Sequence, residues 1–279
     1  MKNEYIPYPA IIESIREEGP KTRTFRIAFE DKRLMAAFVH KPGQFVQVSL
    51  LGVGEAPISI ASSPHHPGFI ELTIRTMGKL TRAINRLEPG AKLFIRGPYG
   101  NAFPFDEVKG NDIYFIAGGI GLAPLKSVID LVLDQREEFG KVVLIYGAGT
   151  PAEICFKEEI KVWGEIEGME VRLIVETPEA GWEGRSGLVT ELWEESEPWG
   201  DGTAFVCGPP PMMKSAVEKL VRTGFNEEDI YLTLERQMKC GIGKCGHCSI
   251  AGEFVCIDGP VFSFSKLKKL PDSEKAYME

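Results

Sequence analysis

The sequence predicts a small antiparallel β-barrel, then an α/β domain on a doubly wound parallel sheet, then a short cysteine-bearing module. Three observations carry this reading. Residues up to about 105 form short β-rich runs between turns. From residue 111 strand-like runs alternate with helical ones. Four of the six cysteines crowd between positions 240 and 256. The three units are residues 1–108, 109–235 and 236–279.

In the first unit, residues 22–29, 44–51, 69–76 and 92–96 are rich in β-branched and aromatic residues and read as strands. Lys41-Pro42-Gly43, His66-Pro67-Gly68, Glu88-Pro89-Gly90 and Gly97-Pro98-Tyr99-Gly100 supply the turns. Short strands at regular spacing make a barrel. One helix, 81–87, follows Gly78, with Thr81 as its N-cap.

In the second unit the expected strands are 112–117, 141–146, 170–175, 204–207 and 231–234. Helices are expected from the glycine loop through 133, then at 152–163, 189–195 and 211–223. Such alternation gives a parallel sheet covered on both faces.

With 279 residues each unit can bury a core, so disulfides are not needed for stability. The net charge of -8 excludes the basic footprint of a nucleic-acid binder. Met1-Lys2-Asn3-Glu4-Tyr5-Ile6-Pro7 lacks the apolar core of a secretory signal. The most apolar stretch, 113–133, is broken by Gly118, Gly119, Gly121, Pro124, Lys126 and Asp130, so no membrane span is expected. The expected location is the cytoplasm, where cysteines signal metal or redox chemistry before disulfides.

Cys240-Gly-Ile-Gly-Lys-Cys245-Gly-His-Cys248 and Cys256 give the spacing C-x4-C-x2-C-x7-C. A C-x4-C-x2-C loop with a remote fourth cysteine is the ferredoxin-type spacing of a [2Fe–2S] cluster. Gly241, Gly243 and Gly246 let the loop turn and bring N–H groups toward sulfur. A four-cysteine zinc site is the rival, although zinc knuckles pair two C-x2-4-C units. His247 reads as a loop residue, because four cysteines complete the ligand set.

Two further motifs stand at strand ends. Gly118-Gly119-Ile120-Gly121-Leu122-Ala123-Pro124 links a strand to a helix, where N–H groups and the helix dipole favour phosphate. Cys207-Gly208-Pro209-Pro210-Pro211-Met212 follows a later strand. Ligands of open α/β sheets bind beyond the carboxyl ends of the strands, so the pair points to a nucleotide site. The glycine loop alone has a plain turn as its alternative, and Cys207 alone reads as a small core residue.

These residues, with Pro57-Ile58-Ser59 and Gly78-Lys79-Leu80-Thr81, resemble the ferredoxin–NADP reductase superfamily. Glu235-Arg236-Gln237-Met238-Lys239-Cys240 and Cys256-Ile257-Asp258-Gly259-Pro260-Val261-Phe262 narrow the resemblance to its flavin and iron–sulfur electron-transfer subunits. Among these are the electron-transfer subunits of dihydroorotate dehydrogenase and of anaerobic sulfite reductase, and the gamma subunits of cytoplasmic NiFe hydrogenases (sulfhydrogenases). The resemblance implies FAD on the barrel, NAD(P)H on the α/β domain and a [2Fe–2S] cluster at Cys240, Cys245, Cys248 and Cys256. It implies that Pro57, Ile58 and Ser59 line the isoalloxazine, that Ile74 and Arg75 lie beside it, and that Gly78, Leu80 and Thr81 hold the pyrophosphate. Gly118, Gly119, Gly121 and Pro124 become the dinucleotide loop, and Gly208 and Pro209 lie near the nicotinamide. Cys207 and Glu235 become the candidate catalytic residues there; for Glu235 a plain surface carboxylate is the alternative.

Two positions depart from the pattern. Ala56 stands where many relatives carry an Arg that helps bind flavin phosphate. Gly149 stands where relatives often carry a basic residue, and a 2′-phosphate wants Arg or Lys. NADH is therefore favoured unless Arg172 or Arg185 compensates. The implied chemistry is reversible: a nicotinamide delivers a hydride, a cluster carries single electrons, and flavin mediates between them. The chain holds no site for activating a final substrate, so it reads as one subunit of a larger redox complex. The expected partners are other iron–sulfur and catalytic subunits, first of a NiFe hydrogenase, then of a sulfite reductase, then of a heterodisulfide-reductase-linked or dihydroorotate dehydrogenase complex. A zinc-stapled nucleotide sensor is the alternative of another class. The tail at 263–270, with Lys266, Lys268 and Lys269, is either a docking element or a solvated end.

Overall fold

The computed structural model describes residues 3–193 and 202–269. The first unit is a six-stranded antiparallel barrel. In chain order its elements are β1 (Tyr8–Gly19), β2 (Thr22–Phe29), α1 (Lys32–Ala37), β3 (Phe45–Leu50), β4 (Gly54–Ser59), β5 (Ile70–Arg75), α2 (Lys79–Ile84) and β6 (Lys92–Tyr99). The strand order is β4-β3-β6-β1-β2-β5. Ala61 N–H donates to Glu71 O (2.9 Å) and brings the two ends of this sheet together. Ile12, Phe25, Ile27, Val48, Leu72 and Ile95, all fully buried, fill the interior.

Two barrel strands lie outside the expected set. In β1 the register shifts between Ile12 and Ser14, which breaks the period-2 alternation that marks a strand. In β4, Pro57 interrupts the pattern. The strand pairs with β3 alone, an edge position that tolerates a missing donor.

The expected N-cap at Thr81 is corrected. Gly78 caps α2, and Thr81 lies inside its first turn. The Thr81 Oγ1 accepts from the N–H of Met77 and of Gly78, both at 2.9 Å, so it closes the turn from within.

The second unit contains β7 (Asp112–Gly118), α3 (Leu122–Asp134), β8 (Val142–Ala148), α4 (Lys157–Glu165), β9 (Met169–Val175), β10 (Arg185–Ser186), β11 (Gly202–Cys207), α5 (Pro210–Arg222) and β12 (Ile230–Thr233). The cysteine-bearing segment adds β13 (Ser249–Ile250), β14 (Glu253–Phe254), β15 (Val261–Ser263) and α6 (Phe264–Lys269). The main sheet runs β10-β9-β8-β7-β11-β12-β15. Its pairings are parallel as expected, except that β15 runs antiparallel to β12. The last expected strand therefore does not close the sheet; the tail does. The sheet is covered on both faces: α3 packs on Phe115 and Leu144, and α5 on Ile116 and Val206.

The helix expected at 152–163 is split. Pro151–Glu153 forms a 3₁₀ turn, and Phe156, at φ 57°, breaks the chain before α4 begins. The Phe156 N–H turns out of the helix and donates to Glu18 Oε2 on the barrel (2.6 Å). The helix expected at 189–195 is a 3₁₀ turn, Val189–Leu192; positions 194 and 195 lie outside the described residues. Among the described residues no helix is long and apolar enough to cross a membrane.

The cysteine segment has no core of its own. Met238, Cys248, Val255, Cys256, Phe262, Phe264 and Leu267 join the α5 face of the sheet. The barrel holds its far end through Asn101. The Asn101 Nδ2 donates to Asp258 O (3.1 Å) and Val261 O (2.7 Å), and its Oδ1 accepts from Val261 N–H (3.0 Å). Three net hydrogen bonds are worth about 2–4 kcal/mol. Asn101→Ala is expected to lower the melting temperature and loosen this segment, read as faster amide exchange at Val261 and Phe262.

Candidate functional site

The chain enters the α/β sheet at β7, winds outward through β8 and β9, and returns through β11 on the other side. The winding reverses between β7 and β11, and the two glycine motifs leave the sheet there, side by side. A crevice opens at such a switch point.

The glycines in this crevice do different jobs. A Cβ on Gly121 would stand 2.6 Å from the carbonyl carbon of Cys207 and 2.9 Å from Gly208 Cα. One on Gly118 would stand 2.9 Å from Pro209 Cδ, and one on Gly208 3.0 Å from Gly118 N. Gly118, Gly121 and Gly208 thus let the two loops interlock. Gly119 is the open one: its φ is 54°, and a Cβ would meet only Arg75 Nη1 at 4.0 Å. All three loop glycines line the crevice, but only Gly119 has open space where a side chain would stand.

Two clefts meet here. The first, between barrel and sheet, is lined by Ala56, Pro57, Ile58, Ser59, Ile74, Arg75, Thr81 and Pro124. The second is lined by Gly118, Gly119, Gly121, Cys207, Gly208, Pro209 and Glu235. Arg75, Ile120, Thr233, Leu234, Glu235 and Arg236 wall both. Gly78 and Leu80 line neither, and the Leu80 side chain is buried in the barrel core. Met77, 74% exposed, takes their place at the rim. Among the described residues, Arg75 and Arg236 bring guanidinium groups to both clefts.

Sequence reasoning missed Thr233, Leu234, Arg236 and Met238. Thr233 and Leu234 belong to no motif, and Arg236 and Met238 stand in the run 235–240 without a role of their own; the pairing of β12 beside β11 brings this stretch to the crevice. The Thr233 hydroxyl is buried and, apart from a loose approach of the Cys207 thiol, lacks a hydrogen-bond partner. An orphan hydroxyl on the shared wall fits a polar ring occupying either cleft.

Burial pushes the Cys207 thiol up to about 12. It therefore stands in the cleft as a neutral, polarisable wall. Glu235 lines both clefts, and desolvation by the protein atoms around it raises its carboxyl above the ordinary range. A raised carboxyl favours the folded state when protonated and costs stability as pH climbs through its folded value. Glu235→Gln is thus expected to melt higher than the parent at about pH 8 and equally at about pH 4. Differential scanning calorimetry at the two values checks this.

Cys240, Cys248 and Cys256 are buried and Cys245 is exposed. The loop wraps the sulfurs with main-chain donors. Gly243 N–H donates to Cys256 Sγ (3.2 Å), and Lys244 N–H and Ile242 N–H to Cys240 Sγ (3.3 and 3.5 Å). Such N–H···S bonds suit thiolates bound to metal. Main-chain N–H groups, first that of His247, draw the Cys245 thiol down; Cys240 also lies against it. Burial pushes Cys256 up to about 12, with Cys248 against it. Cys240 lies against Cys245, and both Cys248 and Cys240 lie near Cys256, so the four sulfurs form one cluster of neighbours. His247 is exposed beside the loop.

Lys266 and Lys268 of the tail are paired within the chain, with Glu253 (2.9 Å) and Glu227 (2.7 Å). Leu270 lies outside the described residues. Arg172 is held by Glu170 (2.5 Å) and Leu192 O (3.2 Å), and Arg185 reaches Glu191 O (3.1 Å).

Three family descriptions match successive parts of the chain. An oxidoreductase FAD-binding domain covers residues 9–103, and an oxidoreductase NAD-binding domain covers 115–218. The iron–sulfur cluster binding domain of dihydroorotate dehydrogenase B covers 235–268. The gamma subunit of sulfhydrogenase 1 from Pyrococcus furiosus is 42% identical over 256 residues, covering 89% of this chain and 88% of the relative. The gamma subunit of sulfhydrogenase 2 from the same organism is 39% identical, covering 94% and 96%. A probable dihydroorotate dehydrogenase B (NAD(+)) electron transfer subunit from Thermoplasma acidophilum is 32% identical, covering 94% and 91%. Among solved structures, that of an NADH-dependent reduced ferredoxin–NADP oxidoreductase shares the fold, with a TM-score of 0.73 at 22% identity over 99% of this chain and 98% of that one.

Proposed function

Since this chain belongs to the ferredoxin–NADP reductase-like FAD/NAD-binding oxidoreductases, among the electron-transfer subunits of sulfhydrogenase and dihydroorotate dehydrogenase B, we propose that it passes electrons between NADH, FAD and a [2Fe–2S] cluster to or from a hydrogenase subunit. The observation that carries this is the wall shared by the two clefts, continued by the five residues from Leu234 to Met238 and on to Cys240.

When bound, the flavin accepts a hydride from the nicotinamide and returns single electrons to the cluster. The chain's part is alignment. Pro57, Ile58 and Ser59 on β4 give the first cleft a flat, mostly apolar side. Gly119 leaves room for the dinucleotide, and Thr233 would offer its unpartnered hydroxyl to a group bound in either cleft. Arg75 supplies positive charge toward phosphates, steadied by Glu153 at 3.8 Å. The neutral Cys207 thiol and the apolar Leu234 keep water from the transfer.

NADH is the preferred nicotinamide in this reading. Gly149 provides no cation, and the Glu153 carboxylate lies over it, an unfavourable neighbour for a 2′-phosphate. A hydrogenase is favoured as partner because the sulfhydrogenase gamma subunits are 39–42% identical, against 32% for the Thermoplasma dihydroorotate dehydrogenase B relative.

Anaerobic titration of the flavin- and cluster-loaded chain tests the core of the proposal. NADH should bleach both chromophores, with NADPH much slower. No spectral change with either nicotinamide overturns it. Affinity purification from the native host, with the co-purifying subunits identified, tests the partner.

A further inference from the structure

The segment between the first cleft and the cluster loop is three residues long. Met238 lines the cleft, and Cys240 is a cluster ligand. Barrel side chains hold all three of its carbonyls. Gln47 Nε2, on β3, donates to Met238 O (2.7 Å). Arg96, on β6, donates through Nη2 to Lys239 O (3.2 Å) and through Nη1 to Cys240 O. Gln47 is fully buried and Arg96 is 5% exposed.

The guanidinium is itself fixed. Glu55 on β4 grips it twice, at Nε (2.9 Å) and at Nη2, and Ser49 Oγ donates to the same carboxylate (2.7 Å). Tyr99 packs against both ends of the arrangement. Its ring centre lies 5.6 Å from the guanidinium, and a Cβ on Gly241 would stand 3.0 Å from its ring edge. The Arg96–Glu55 pair is neutral as a unit, so its effect on the segment is geometric, through two donated hydrogen bonds, more than a net field.

We propose that Gln47 and Arg96 are positioning residues for electron transfer, holding Met238-Lys239-Cys240 as a fixed conduit between the flavin cleft and the cluster. The inference rests on the electron route proposed above. Each passage along the segment carries one electron and turns one ferric ion ferrous. Two passages, with the first electron leaving to the partner before the second arrives, restore the oxidised flavin and release its protons to water. Tunnelling falls steeply with distance, so slack in this segment slows transfer without touching the hydride step.

Rapid mixing of the loaded chain with NADH under anaerobic conditions separates flavin bleaching from cluster reduction, the latter followed by freeze-quench electron paramagnetic resonance. Two variants are compared: Gln47→Leu, and the double substitution Glu55→Gln with Arg96→Gln, which removes the pair without stranding a charge. In both, flavin bleaching should stay within about twofold of the parent while cluster reduction slows about tenfold or more, the scale that ångström misplacements produce. Unchanged cluster reduction in both variants overturns the proposal. If the double variant purifies without its cluster, Gln47→Leu decides alone, slowing for the proposal and the parent rate against it. Absence of flavin bleaching in the parent chain would instead overturn the electron route itself.

Discussion

Replacing Cys256 by serine is expected to remove the cluster and cut electron delivery to a one-electron acceptor, while leaving reduction of the flavin by NADH intact. Cys256 is fully buried, takes a hydrogen bond from Gly243 N–H at 3.2 Å, and lies against Cys248. Its thiol, pushed up to about 12 by burial, is neutral without metal, so cluster assembly must expel its proton. A serine hydroxyl is harder and far less acidic, and it cannot replace a soft thiolate in that pocket. The loss should reach a hundredfold or more, since changes one shell further out already cost about 10–100-fold. The bleached cluster band and the vanished paramagnetic signal of the reduced protein report it. A full-strength signal in Cys256→Ser would contradict the ligand assignment.

The second large effect is expected at Gly121. Alanine there drives a methyl into the Cys207 carbonyl carbon at 2.6 Å and Gly208 Cα at 2.9 Å, both main-chain atoms. Neither yields without parting the loops that leave β7 and β11. Overpacking of this kind costs about 1–3 kcal/mol of stability. Spreading the crevice should weaken NADH binding by about tenfold to a hundredfold, or about 1.4–2.8 kcal/mol. Flavin content should hold, because Gly121 does not line the first cleft. Gly78→Ala is the contrasting control: nothing lies within 4 Å of its Cβ, so it should lose only the N-cap preference, about 1 kcal/mol, and leave NADH binding unchanged. Calorimetric titration of NADH into the three proteins decides it.

Much of this molecule is legible in its sequence because the chemistry is local. Four cysteines within seventeen residues fix their loop by spacing alone, and two glycine motifs announce the ends of β7 and β11. What stays hidden depends on partners far along the chain. Nothing near Phe156 signals a left-handed break; Glu18, distant in sequence, captures its N–H. Gly121 reads locally as ligand space, and the sequence does not show that its missing side chain also makes room for the loop from β11. Thr233 and Met238 look like ordinary strand and linker residues until β12 carries them into the crevice. Met77 escapes notice beside Gly78 and Leu80, because a turn does not reveal which of its side chains faces out.

The antiparallel pairing of β15 with β12 bears on more than electron flow. An unpaired β12 would leave a row of free main-chain donors and acceptors at the flank of the sheet, a template for self-association. The same short segment that carries Cys256 shields that flank five residues later. Iron loading and colloidal solubility are thereby tied together: a chain made without its metal, with this segment loosened, exposes a sticky border. Iron starvation should then show first as aggregation, ahead of any loss of turnover.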